Sequence, residues 1–129
     1  MSTRSRIAMR LANGDAQGCA SAAGGRIPGA ARYRSVYCHF DGDLVGPVLR
    51  EHYASEEQAH TIINGGDLRS VWPDKLETYR AIGEPWQHIR PRESADLSLL
   101  IELAWDTGAE YLCCWQDDGW QTIEMRGSQ

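Results

Sequence analysis

Residues 33–53, YRSVYCHFDGDLVGPVLREHY, change from an alternating pattern to a helical one across a single turn, Asp41-Gly42-Asp43. Before the turn, Tyr33, Ser35, Tyr37 and His39 fall on one side of an extended chain and Arg34, Val36, Cys38 and Phe40 on the other. After it, Val45, Val48, Leu49 and His52 or Tyr53 recur at three- and four-residue spacing, with Pro47 in the first helical turn, where a missing N–H is tolerated. A strand that feeds directly into an amphipathic helix belongs to a sheet with that helix folded over one face. Val36, Cys38 and Phe40 are the expected core side of the strand, and Asp43 the expected N-cap of the helix.

The rest of the chain extends this pattern. Residues 6–11 alternate charged and apolar side chains, as a half-buried strand does, and Asn13-Gly14-Asp15 ends them. Residues 13–31 are dominated by Gly and Ala, too poor in large apolar groups to pack, and read as a flexible loop between two antiparallel strands. Ser55 with Gln58 makes a capping-box pattern ahead of Ala59, Ile62 and Ile63, and Asn64-Gly65-Gly66 stops that second helix. Pro73, Pro85 and Pro91 interrupt the next segment, where Trp72, Tyr79 and Trp86 predict a wrapping stretch with a short helix near 74–82. Ser94 is the expected cap of a helix carrying Leu97, Leu100, Ile101, Ala104 and Trp105 as one apolar stripe. Residues 110–116 and 120–125 flank Asp117-Asp118-Gly119 as a terminal hairpin.

With 129 residues, the order β, β, α, α, irregular, α, β, β predicts a single α+β domain over 1–129. Its expected architecture is a four-stranded antiparallel sheet, two N-terminal and two C-terminal strands, with about three helices on one face. No stretch has the length of a membrane span, and the opening MSTRSRIAMR lacks the apolar segment of a signal peptide, so a cytoplasmic protein is expected. Cys19, Cys38, Cys113 and Cys114 lack CxxC spacing and read as reduced, mostly buried thiols.

The net charge of −5 conceals an asymmetry: residues 1–34 hold six arginines and only Asp15, whereas residues 93–124 hold eight acids and no Lys or Arg. Neighbouring strands with offsetting charges are the structural account of this pattern. A functional account gathers Glu93, Asp96, Glu102, Asp106, Glu110, Asp117, Asp118 and Glu124, with Trp120 as aromatic anchor, into a surface for a basic protein partner.

Other chemistry is less well supported by the residues. His39, Asp41 and Asp43 offer ligands for a divalent metal, as in metal-dependent nucleases or nucleotide hydrolases, but Asp-Gly-Asp is also what a turn and a helix cap require. No GxSxG, HExxH, P-loop or GxGxxG occurs. His39 faces away from Cys38, which removes a Cys–His pair. Arg4, Arg6, Tyr33 and Tyr37 combine cations with stacking rings, the equipment for single-stranded nucleic acid, against the acidic overall balance. His52, His60 and His88 read as ordinary surface residues. Neither a cofactor nor a metal is expected.

The opening MSTRSRIAMR, the strand YRSVYCHFDG, the helix ending LREHY, the element DLRSV and the ending GAEYLCCWQDDGWQTIE together resemble a family of small proteins encoded by bacteriophages and prophages. The resemblance implies a mobile-element origin and a role in the host bacterial cytoplasm. Small acidic proteins of that origin often bind host machinery, and an acidic surface suits the basic nucleic-acid channel of a CRISPR–Cas effector. The expectation is therefore a non-enzymatic anti-defence protein, an anti-CRISPR inhibitor acting as a monomer or homodimer, with no membrane partner.

Overall fold

The computed structural model describes residues 3–11 and 32–125. The Gly/Ala-rich stretch expected as a loop over 13–31 lies outside the described residues. In chain order the elements are β1 (Ser5–Leu11), β2 (Arg32–Cys38), α1 (Gly42–His52), α2 (Glu56–Asn64), β3 (Leu68–Trp72), β4 (Lys75–Thr78), a 3-10 turn (Arg80–Ile82), α3 (Trp86–Ile89), β5 (Arg92–Ser94), α4 (Leu97–Asp106), β6 (Tyr111–Gln116) and β7 (Gly119–Glu124).

The fold is α+β, but the sheet is larger than four antiparallel strands. Among the described residues seven strands form one mixed sheet in the order β4-β3-β2-β1-β6-β7, with β5 paired to β2 beside that path. β1 lies at its centre, antiparallel to β2 (Ile7 opposite Val36) and parallel to β6 (Ile7 opposite Cys113). The central place explains why alternation misled for β1. Arg6, expected on a solvated face, is 2% exposed because both faces of a central strand are covered.

Helices cover both faces, not one. Val45 and Leu49 of α1 with Ala59, Ile62 and Ile63 of α2 pack on Ile7, Met9, Val36, Cys38, Leu68, Cys113 and Trp115. On the opposite face Leu100 and Ala104 of α4 pack with Ala8, Tyr33, Leu112 and Cys114. Each fully buried Leu or Ile in these layers contributes ~1.5–3 kcal/mol of transfer free energy.

Local chemistry sets the element ends. α1 starts two residues earlier than expected: Asp41, left-handed at φ 56, is its N-cap without a side-chain bond, and Asp43 sits in the first turn. Gly42 is required there, since a Cβ would lie 2.7 Å from the Thr3 carbonyl oxygen, which accepts the Gly42 N–H. α2 begins as expected, with Ser55 Oγ accepting the Gln58 N–H at 3.1 Å. α4 is capped by Asp96, which accepts the Leu99 N–H, and the expected cap Ser94 lies in β5. The helix expected near 74–82 is instead β4 and the 3-10 turn, because Pro73-Asp74 closes a β3–β4 hairpin. β2 ends at Cys38, which leaves Phe40 36% exposed and outside the core. The terminal hairpin is present, with Asp117 and Asp118 both left-handed, as a primed two-residue turn requires.

Candidate functional site

The outer edge of β2 changes partner partway along. Tyr33, Arg34 and Ser35 pair antiparallel with Ser94, Glu93 and Arg92 of β5, whereas Cys38 pairs parallel with Leu68 of β3. Between the two partners the edge is open, and the Tyr37 N–H would go unpaired. Asp67 fills the gap: its Oδ1 accepts that N–H at 2.9 Å.

Asp67 is held from behind. Gly66, at φ 87, carries the chain past α3 so closely that a Cβ there would lie 2.8 Å from both Ile89 O and Trp86 Cζ3. The Asp67 N–H then donates to Ile89 O at 2.8 Å, and its carbonyl accepts the Tyr79 N–H at 3.2 Å. The Asn64-Gly65-Gly66 helix stop therefore also delivers a carboxylate to the sheet edge.

The open edge forms a notch of about 270 Å³ lined by Arg6, Tyr37, Asp67, Arg92 and Thr107. Arg6 forms its inner wall, donating from Nε to Ser35 Oγ at 2.8 Å. Burial lowers the Arg6 guanidinium to about 10, Asp67 acting against that shift and Arg92 adding to it. Burial likewise raises the Asp67 carboxyl, opposed by the Tyr37 N–H, Arg6 and Arg92. The Tyr37 hydroxyl lies 2.7 Å from His39 Nδ1, with the Arg4 guanidinium beside it, and burial raises its pKa. Thr107 donates its hydroxyl to the Leu103 and Ala104 carbonyls and serves as wall.

A second surface lies on α4. The expected apolar stripe is only partly buried: Leu100 and Ala104 are covered, while Leu97 and Trp105 are 42% and 46% exposed, and Leu99, outside the stripe, is 46% exposed. A cleft of about 350 Å³ between α4 and β5 brings Glu93, Glu102 and Asp106 together around Leu99 and Leu103, with Arg92 also on its wall.

The other acids are dispersed. Glu93 is itself engaged, its two oxygens each 2.9 Å from Arg32 and Arg34, which hold its carboxyl below the usual range. Asp96 is the α4 cap, and Glu110 lies just ahead of β6, donating its N–H to Arg4 O. Asp117 and Asp118 form the hairpin turn, with Asp117 4.0 Å from Arg10. Glu124, opposite Tyr111, is in phase with Trp115 on the α1–α2 side of the sheet. Trp120 is 6% exposed, donates to the Tyr53 carbonyl at 2.9 Å and meets Trp115 edge to face, so it belongs to the core and not to a surface anchor. The indoles exposed among the described residues are Trp72, Trp86 and Trp105. Burial on a helix flank depends on what the sheet covers, which the α4 pattern does not encode.

His39, Asp41 and Asp43 do not assemble as metal ligands: among the described residues no group of three or more His, Cys, Asp or Glu is placed to hold a metal ion. Burial pushes the Cys38 and Cys114 thiols up to about 12 and Cys113 to about 11. Tyr33 is 5% exposed, which removes it as a stacking platform, although Tyr37 does lie beside both Arg4 and Arg6. Sequence reasoning missed Asp67 and Arg92; Asp67 directly after a Gly-Gly helix stop was the available signal.

Among the described residues no helix is long and apolar enough to cross a membrane. No protein-family model matches the chain, and no solved structure matches it. A segment of 55 residues, 40% of the chain, is 44% identical to the aklanonic acid methyl ester cyclase DnrD of Streptomyces peucetius and to the cyclase DauD of Streptomyces sp. strain C5. The matched segment spans 38% and 34% of those two relatives.

Proposed function

We propose that this chain is a non-enzymatic, phage-derived binding protein that inhibits a CRISPR–Cas effector by docking α4 and the α4–β5 cleft on a basic surface meant for nucleic acid. The observation that carries the reading is α4 itself, which exposes Leu97, Leu99 and Trp105 beside Glu102 and Asp106. Apolar and aromatic anchors ringed by charge are the composition of a protein interface, and the acids complement Lys and Arg that would otherwise contact phosphates. The test is plaque formation by a CRISPR-targeted phage on cells expressing the protein, beside an otherwise identical strain without CRISPR. Plaques restored only in the CRISPR strain, and lost again with Trp105→Ala and Glu102→Lys/Asp106→Lys, are expected. Unchanged immunity across several CRISPR types would sink this reading.

The 55-residue likeness to the two cyclases supports a second reading, an enzyme acting on a small organic molecule. Asp67, a desolvated carboxyl in a cleft, is its candidate acid–base group. Turnover of a polyketide ester abolished by Asp67→Asn would favour it.

A further inference from the structure

The notch between β5 and β3 holds more positive charge than its own acid balances. Arg6 closes the inner side and Arg92 the outer, and none of the ion pairs among the described residues includes either one. Arg4 adds a third guanidinium beside Tyr37; a Cβ on Gly108 would lie 3.4 Å from its Nη1. Among the described residues Asp67 is the one acid lining the notch, and its Oδ1 is engaged by the Tyr37 N–H. Glu93, the nearest acid in β5, is held by Arg32 and Arg34 on the other side.

We propose that this notch binds a phosphate-type oxyanion, either free phosphate or the phosphate group of a small phosphomonoester, between Arg6 and Arg92 with the Tyr37 hydroxyl at its edge. Burying a guanidinium that faces another is costly unless an anion relieves the repulsion. Here Arg6 is 2% exposed beside Arg92, and the Asp67 carboxylate, the stronger of its two charged neighbours, already accepts the Tyr37 N–H. Guanidinium forks match tetrahedral oxyanions in two parallel hydrogen bonds, and a site of low dielectric strengthens them. The volume of about 270 Å³ admits a phosphate with room for a small ester group. The notch shares Arg92 with the α4–β5 cleft, and the inference concerns binding of a small anion there, not turnover.

The test is titration of the full chain, by calorimetry at constant ionic strength set with chloride, using inorganic phosphate and a nucleoside 5′-monophosphate as probes. Saturable one-site binding of at least one probe is expected, weakened about tenfold or more by Arg92→Gln, which alters an exposed side chain and spares the core. Tyr37→Phe is expected to weaken binding less, and Arg50→Gln, on the α1 face, to leave it unchanged. Tighter binding of the monophosphate identifies a phosphomonoester as the ligand, and equal affinities identify free phosphate. Binding no better than chloride, or an Arg92→Gln variant that binds as the parent does, overturns the proposal.

Discussion

The Asp67 carboxylate and the Tyr37 backbone N–H meet at 2.9 Å where β2 has left β5 and has not yet reached β3. A side chain there does the work of a neighbouring strand. Asp67→Ala is expected to destabilise the fold by ~1 kcal/mol, the cost of leaving a partly buried donor without its partner. Asp67→Asn keeps an acceptor oxygen and is expected to cost less. Urea denaturation of the two variants at neutral pH separates them.

Asp67 and Glu93 are expected to shape the pH profile in opposite senses. The Asp67 carboxyl is raised in the fold, chiefly by burial, so the folded state holds its proton more tightly. Its contribution is fully present below the ordinary carboxylate value, about pH 4, and is lost as pH rises through the raised value. The Glu93 carboxyl is lowered, first by its bonds to Arg34 and then Arg32, so its contribution is present above about pH 4 and lost on acidification. Being partly exposed, it is worth only ~0.2–1 kcal/mol. Glu93→Gln should flatten the acid limb of a stability–pH curve, and Asp67→Asn the limb above it.

Thiol chemistry offers a count. Cys38, Cys113 and Cys114 are buried and held protonated well above neutral pH, so a thiol reagent at pH 8 is expected to leave all three unmodified in the folded protein. All three should react once urea unfolds the chain. Rapid labelling of any of them in buffer would show that the sheet opens locally.

Gly42 and Gly46 look equivalent on α1 and should not behave so. A Cβ on Gly42 meets backbone, the Thr3 and Arg4 carbonyl groups at 2.7–2.9 Å, whereas one on Gly46 meets a side chain, the Thr122 hydroxyl at 2.8 Å. Gly42→Ala is expected to cost ~1–3 kcal/mol and Gly46→Ala less. Thermal melts of the pair decide it.

Elements whose cause is local were readable in advance: the Ser55–Gln58 cap, the α1 stripe and the Asp117-Asp118-Gly119 turn all rest on neighbours within a few residues. The β3–β4 hairpin was readable too, from Pro73-Asp74, but a helix was expected in its place. What the sequence does not display is pairing at a distance. Nothing in residues 5–11 distinguishes a strand with one neighbour from one with two, and that difference decides whether Arg6 is exposed or forms the buried inner wall of a notch. The notch follows from the same kind of fact, since Arg6, Tyr37, Asp67 and Arg92 come from four elements or their connections. On α4, likewise, the stripe was legible but its covering was not: Leu97 and Trp105 stay exposed.

The parallel pairing of β1 with β6 also sets when the molecule becomes stable. During synthesis β1 emerges well before β6, and one of its two edges waits for that partner. Until then Ile7 and Met9 lack the Cys113 and Trp115 wall, and an apolar strand edge stands open to other chains. Contacts so distant in sequence make folding slow relative to helix formation. A ribosome-bound or truncated chain that stops short of β6 is thus the form of this protein most prone to aggregate.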